Sequence, residues 1–186
     1  MRLDPSPLIL GHWRGLSNVD EHGEYKGPDY VTRTILVLSS ALAGVAVWYF
    51  HVSFAAPTAL LSGFALMSGV LLAVFAQLAT MRVRLTDRDD DSRSRRVLKD
   101  SLDESVSHVL VAAFLGVLAS GVIVVAMSVT HPISPAQPEI EGPWAITLAP
   151  LAVYEALLLV ILIPRLYSAY TRVNDVAREL NGYVGG

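Results

Sequence analysis

WAITLAPLAVYEALLLVILIP, residues Trp144–Pro164, is the stretch whose reading decides the fold, and its 21 residues carry one formal charge, Glu155. As a helix rising about 1.5 Å per residue, it is long enough to cross a hydrocarbon core of about 30 Å. Glu155 lies ~16 Å from the Trp144 end, close to mid-bilayer. A carboxylate at that depth is costly unless it meets water, a partner or a cation, so it is a candidate for function. The competing expectation is a protonated acid that hydrogen-bonds between helices as structural glue.

The rest of the chain repeats the pattern. Of its 186 residues, 53% are hydrophobic and 17% charged, and the mean hydropathy is +0.48. That is more apolar than an ordinary soluble domain. Asp, Glu, Lys and Arg are absent from all 48 positions of Thr34–Met81 and from all 34 of Ser105–Pro138. These blocks predict an all-α polytopic protein with four spans, about Thr34–Phe50, Pro57–Met81, Val106–Thr130 and Pro143–Pro164. The first 33 residues mix four basic and five acidic side chains with no apolar core of a signal peptide, so the first span is expected to be retained.

Orientation follows from the basic residues. Arg2, Arg14, Lys26 and Arg33 precede the first span. Arg82, Arg84, Arg88, Arg93, Arg95, Arg96 and Lys99 lie between the second and third, and Arg165, Arg172 and Arg178 follow the fourth. The other two loops, His51–Ala56 and His131–Gly142, contain none. The positive-inside rule then places both termini and the central loop in the cytoplasm. The expected organisation is a cytoplasmic segment 1–33, spans one and two over 34–81, a cytoplasmic loop and helix 82–105, spans three and four over 106–164, and a cytoplasmic helix 165–186.

Outside the spans, PLILGHWRGL (7–16) forms an apolar patch that is expected to pack on the chain's own helices rather than lie in the membrane interface. NVDEHGEYKGPDY (18–30) is rich in turn formers and predicts a loop. Span two is expected to run on through MRVRL to the acidic break DRDDD, with Thr86 and Asp89 as a cap pair. Span three is expected to begin early, with Leu98, Leu102, Val106 and Val109 on one face and ion pairs Arg96–Asp100 and Lys99–Asp103 four apart. Beyond Pro164, Leu166, Tyr170, Val173, Ala177 and Leu180 form a stripe ended by Asn181–Gly182. Pro132, Pro135 and Pro138 recur every third residue and suit a stiff polyproline II link.

Small residues four apart occur on every span: Ser40 and Gly44; Ala65, Gly69 and Ala73; Ala112, Gly116 and Ser120; Ala145 and Ala149 with Ala152 and Ala156. Such faces allow close helix approach in lipid. Gly116 is the expected oligomer contact in the membrane, and Leu166, Tyr170, Val173 and Leu180 are those of the tail. Thr147, Leu151, Glu155 and Leu162 fall on one side of span four. Around a symmetry axis they would form a pore path with an acidic ring and apolar constrictions. Pro150 is expected to bend the helix, and Pro164 marks either a hinge or the end of the span.

Other chemistry is sparse. There is no cysteine, and no phosphate-binding glycine loop, metalloprotease helix or nucleophile elbow occurs. No enzyme activity, cofactor, metal or nucleic-acid partner is expected. His51 and His131 in two separate loops are too few for a metal site, His108 is expected to be a satisfied interfacial residue, and Gln77 to bond a neighbouring helix. In the central segment, seven basic and seven acidic residues predict a self-compensating hairpin.

With four spans and one membrane glutamate, the chain resembles the small multidrug resistance transporters, although their glutamate is in the first span and here it lies in PLAVYEALLLVILIP. In size, span number, cytoplasmic termini and helical extensions it resembles the small four-span membrane effectors of bacterial antiphage defence. That likeness implies a homo-oligomeric channel or pore in the bacterial inner membrane, gated through cytoplasmic helices by a soluble partner or small signalling ligand. The alternatives are a non-conducting subunit that anchors a soluble partner, and a proton-coupled transporter that uses Glu155.

Because the chain has no cysteine, sidedness is directly measurable. Cysteines introduced at Ser53 and Gln137 should react with an impermeant external thiol reagent in intact cells, and one at Ser94 should not. The opposite pattern would invert the topology.

Overall fold

The computed structural model describes residues 4–19, 25–86, 93–129 and 139–173. Among them, five helices, α1 (Ser6–Gly15), α2 (Tyr30–Phe50), α3 (Pro57–Thr86), α4 (Arg93–Val129) and α5 (Gly142–Val173), accompany one short hairpin of β1 (Ser17–Val19) and β2 (Tyr25–Pro28). Four helices contain stretches long and apolar enough to cross a membrane: Tyr30–Phe50, Pro57–Val83, Leu102–Val129 and Gly142–Ser168. The four-span, all-α reading is therefore the architecture found.

Local chemistry sets the boundaries. α2 starts four residues earlier than the hydropathy block because Asp29 caps it, its carboxylate accepting from the Thr32 amide at 3.1 Å. It ends at His51, whose φ of 53° is left-handed. α3 and α4 extend beyond their apolar segments as expected, and Arg82 of α3 ties these ends together, donating to both carboxylate oxygens of Asp103 on α4 at 2.9 and 3.2 Å. α5 runs unbroken through Pro150 and Pro164. Pro164 thus lies within the helix and does not end it.

The segment expected as a loop after α1 contains a two-stranded antiparallel ribbon, in which Ser17 pairs with Pro28 and Asn18 with Gly27. Its turn formers mark a chain reversal, and the arms of that reversal are paired strands. Gly27, at φ 129°, supplies a backbone conformation that a side chain would oppose. On the far side of the bundle, Phe54 and Ile140 exchange backbone hydrogen bonds of 2.9 and 3.0 Å, joining the loop after α2 to the start of α5.

The helices pack in a row, α3 on α4, α4 on α5 and α5 on α2, with α1 lying across α4. α4 is therefore an inner helix. Its Ala112, Ala119 and Ala126, one every seven residues, are fully or almost fully buried, which lets both neighbours come close. One core cluster joins Leu16, Leu36, Leu71, Leu102, Val109, Leu158 and Leu162; a second joins Val47, Ile123, Ile140, Ala145 and Leu148. α2 meets α5 where Gly44 faces the Pro150 ring, which would stand only 3.0 Å from a Cβ at that glycine. The small-residue faces of α2, α4 and the first half of α5 are thus consumed inside one chain. Ala65, Gly69 and Ala73 of α3 remain exposed.

The acidic break 87–92, the repeated prolines, His131, the Asn181–Gly182 cap and the tail beyond Val173, with Ala177 and Leu180, lie outside the described residues, as do the side chains of Arg96, Leu98, Asp100 and Val173.

Candidate functional site

Glu155 is 3% exposed, and neither carboxylate oxygen has a hydrogen-bond partner. It projects from α5 onto α4 at Gly116, where a Cβ would lie 3.0 and 3.4 Å from its two oxygens. The hydroxyl of Ser68 on α3 closes the same spot from the opposite side. It is spent on the Phe64 carbonyl, to which it donates at 2.9 Å. The Ser120 hydroxyl, one turn along α4 from Gly116, is also buried without a partner. Gly116 is therefore the gap through which α3 and α5 approach each other across α4.

Beside this spot, a cleft of about 290 Å³ opens between α3 and α5. Leu60, Gly63, Phe64 and Met67 line it on α3, and Ala152, Ala156 and Leu159 on α5, with Glu155 supplying its one ionisable group. The exposed Gly63, Met67 and Ala156 form its rim, so it opens on the lateral surface of the bundle.

The four residues expected to form a pore path have different surroundings in the single chain. Glu155 and Leu162 are buried inside it, Leu151 is half-buried and Thr147 is exposed, its hydroxyl donating to the Pro143 carbonyl at 2.8 Å. The four therefore do not share one exposed face of α5. Gly116, expected as an oligomer contact, is likewise buried inside the single chain. Among the tail candidates, Leu166 packs against the core and Tyr170 is exposed. Gln77 is exposed on α3 rather than set into a helix interface.

A second polar cluster surrounds α1, and sequence reasoning missed its central residue, His12. His12 is 1% exposed, with Nδ1 2.6 Å from Nδ1 of His108 and Nε2 2.9 Å from the Tyr154 hydroxyl. His108 Nε2 lies 2.9 Å from Nη1 of Arg165, which also donates to Glu104 and, at 3.3 Å, to the Gly15 carbonyl. Arginine can only donate, and this fixes the tautomers along the chain. Nε2 of His108 must accept, so the His108 proton is on Nδ1 and is donated to His12. His12 then carries its proton on Nε2 and donates to Tyr154. His12 is neutral in this arrangement. The His12 environment agrees: burial first, then His108, Arg165 and Arg33, lower its pKa from 6.5 to about 4.

Arginines also hold the end of α1. Arg33 of α2 donates to the Leu16 carbonyl at 3.0 Å and to the Trp13 carbonyl, and its guanidinium lies 5.6 Å from the Trp13 ring. Together with Arg165 at Gly15, it satisfies carbonyls that a helix C-terminus leaves open and offsets their negative dipole end. Gly11 and Gly15 permit the approach, since a Cβ at Gly15 would fall 2.6 Å from Glu104 Cγ and one at Gly11 would fall 3.0 Å from the Ser107 hydroxyl. The available sequence signal was Gly11-x-x-x-Gly15 enclosing a histidine and a tryptophan. The expectation that this segment packs on the chain's own helices is met. His108, expected as a satisfied residue, is one, but inside the fold rather than at its edge.

Among the described residues no group of three or more His, Cys, Asp or Glu side chains is arranged to hold a metal ion. Comparison of the chain with protein-family models, curated proteins and solved structures gives no match.

Two helical glycines predict opposite outcomes. Gly116→Leu must displace Ser68 and Glu155 and should destabilise the single chain by about 1–3 kcal/mol. Gly69→Leu should leave thermal unfolding in detergent near that of the wild type, because a Cβ at Gly69 would meet no atom within 4 Å. Equal melting temperatures for the two variants would contradict the packing at Gly116.

Proposed function

We propose that this chain is a multi-pass plasma-membrane transporter, with both termini and the central loop cytoplasmic, that moves small organic cations in exchange for protons at Glu155. The observation that carries the reading is the carboxylate itself: buried within a membrane span, without a hydrogen-bond partner, at the edge of an apolar cleft. A carboxylate used as structural glue would spend its oxygens on neighbouring donors, and Ser68, which packs at the same spot, donates elsewhere. In apolar surroundings its charge must be neutralised by a proton or a cation. Exchange follows from that requirement: an arriving cation pairs with the carboxylate as the proton leaves, and the site stays neutral in both states. The cleft walls supply no further polar side chain, which favours an organic cation over a metal ion that needs a shell of oxygen ligands.

A homo-oligomeric pore or antiphage-type effector is the second reading, and the exposed Ala65, Gly69 and Ala73 stripe of α3 favours it as a surface for helix association. In that case Glu155 is not the selectivity ring. Proteoliposomes adsorbed on a solid-supported membrane separate the two. A pH step should displace charge transiently in the wild type as Glu155 loads or unloads, and Glu155→Gln should abolish the transient. A sustained current that survives Glu155→Gln would favour the pore, and the absence of any displacement would overturn the transport reading.

A further inference from the structure

We infer that α1 is a releasable latch: it is docked on the bundle by a hydrogen-bond chain that has room for a neutral His12 only, so that protonating His12 detaches it. The chain runs from Arg165 through His108 and His12 to Tyr154, and its direction is imposed by the one member that cannot accept. Adding a proton to Nδ1 of His12 sets two N–H groups against each other across 2.6 Å. That nitrogen already faces a donor, and the two rings are buried, so water cannot relieve the clash without the helix moving away.

The charges that face the pair come from every helix around it. α4 contributes Glu104, α5 contributes Arg165 and Tyr154, and α2 contributes Arg33 with Asp29 at its start. Glu104 is the acid nearest the histidines among the described residues, its carboxylate 3.8 Å from His108 Nε2, and it is already engaged by Arg165. The two arginines lie on the same side of the balance as an added proton. Protonation therefore opposes docking on electrostatic grounds as well as steric ones.

The sign is fixed. His12 titrates near its ordinary 6.5 when α1 is free and at about 4 when docked. Docking is at full strength above pH 6.5 and weakens as the pH falls towards 4, by about thirty-fold in the docking constant at pH 5. α1 is also the element best suited to leave. It is short, Ile9 and Leu10 are exposed even when it is docked, and Gly11 and Gly15 set its approach to α4.

Hydrogen exchange read by mass spectrometry on the full chain in lipid nanodiscs tests this. After correction for the intrinsic pH dependence of exchange, residues 6–16 should lose protection between pH 7 and pH 5, while the α4 segment 109–126 keeps it. His12→Gln, which retains a donor for Tyr154 but cannot take up a charge, should remove the pH response. Glu104→Gln should retain it, because His12 and not the acid carries it. Unchanged protection of residues 6–16 down to pH 5 in the wild type would overturn the latch, and so would an equal response in His12→Gln. Should His12→Gln fail to dock at any pH, spin labels at Leu10 and Val117 on otherwise wild-type protein decide the matter. Their distance should lengthen and broaden between pH 7 and pH 5, and a constant distance refutes the proposal. None of these readouts depends on transport, so the latch and the role of Glu155 stand or fall separately.

Discussion

A carboxylate held inside a bundle of apolar helices without a donor to satisfy it constrains everything around Glu155. Several kcal/mol of desolvation must be borne by the fold or relieved by a proton or cation. The surrounding design fits such a requirement. α4 is lined with alanine and has glycine at position 116, so α3 and α5 can close over the acid from both sides. Ser68 comes close but commits its hydrogen to its own helix. The carboxylate is enclosed by steric contact without a hydrogen-bond partner, and the cleft between α3 and α5 adjoins it, the arrangement on which the proposed exchange rests.

The second polar centre works by the opposite principle. Around His12 donors meet acceptors in sequence, and a single arginine orders the whole chain of bonds from Glu104 to Tyr154. Arg165 stands one residue after Pro164, within a helix that continues past it, and so brings a permanent positive charge to the edge of the bundle where α1, α4 and α5 meet. One centre is unsatisfied and lies mid-span; the other is hydrogen-bonded throughout and runs from Arg165, just past Pro164, to Tyr154 beside Glu155. They sit on the same two helices, α4 and α5, and Tyr154 and Glu155 are adjacent in sequence while facing different neighbours.

Much of this is legible in the chain. Four spans, the helical extensions beyond α3 and α4, and the isolation of Glu155 follow from hydropathy and charge alone. The row of helices does not, because periodicity says that a face is small or apolar and not which neighbour covers it. That is why Gly116 and Leu162 read as free surface yet prove to be internal. The hairpin after α1 is hidden because glycine, aspartate and proline signal a chain reversal whether or not its arms pair. His12 is invisible for another reason: its role depends on residues 96 and 142 positions away, and no local pattern encodes their meeting.

The central claim is that Glu155 faces the interior of its own chain, and a pair of introduced cysteines tests it most directly, since the natural sequence contains none. In membranes treated with a short bifunctional thiol reagent, the double variant Ser68→Cys, Glu155→Cys should be bridged within a single chain, seen as a mobility shift at monomer mass, and Glu155→Cys alone should give no dimer. Efficient cross-linking of two copies by the Glu155→Cys single variant would contradict the account and restore an arrangement in which the glutamates meet around an axis.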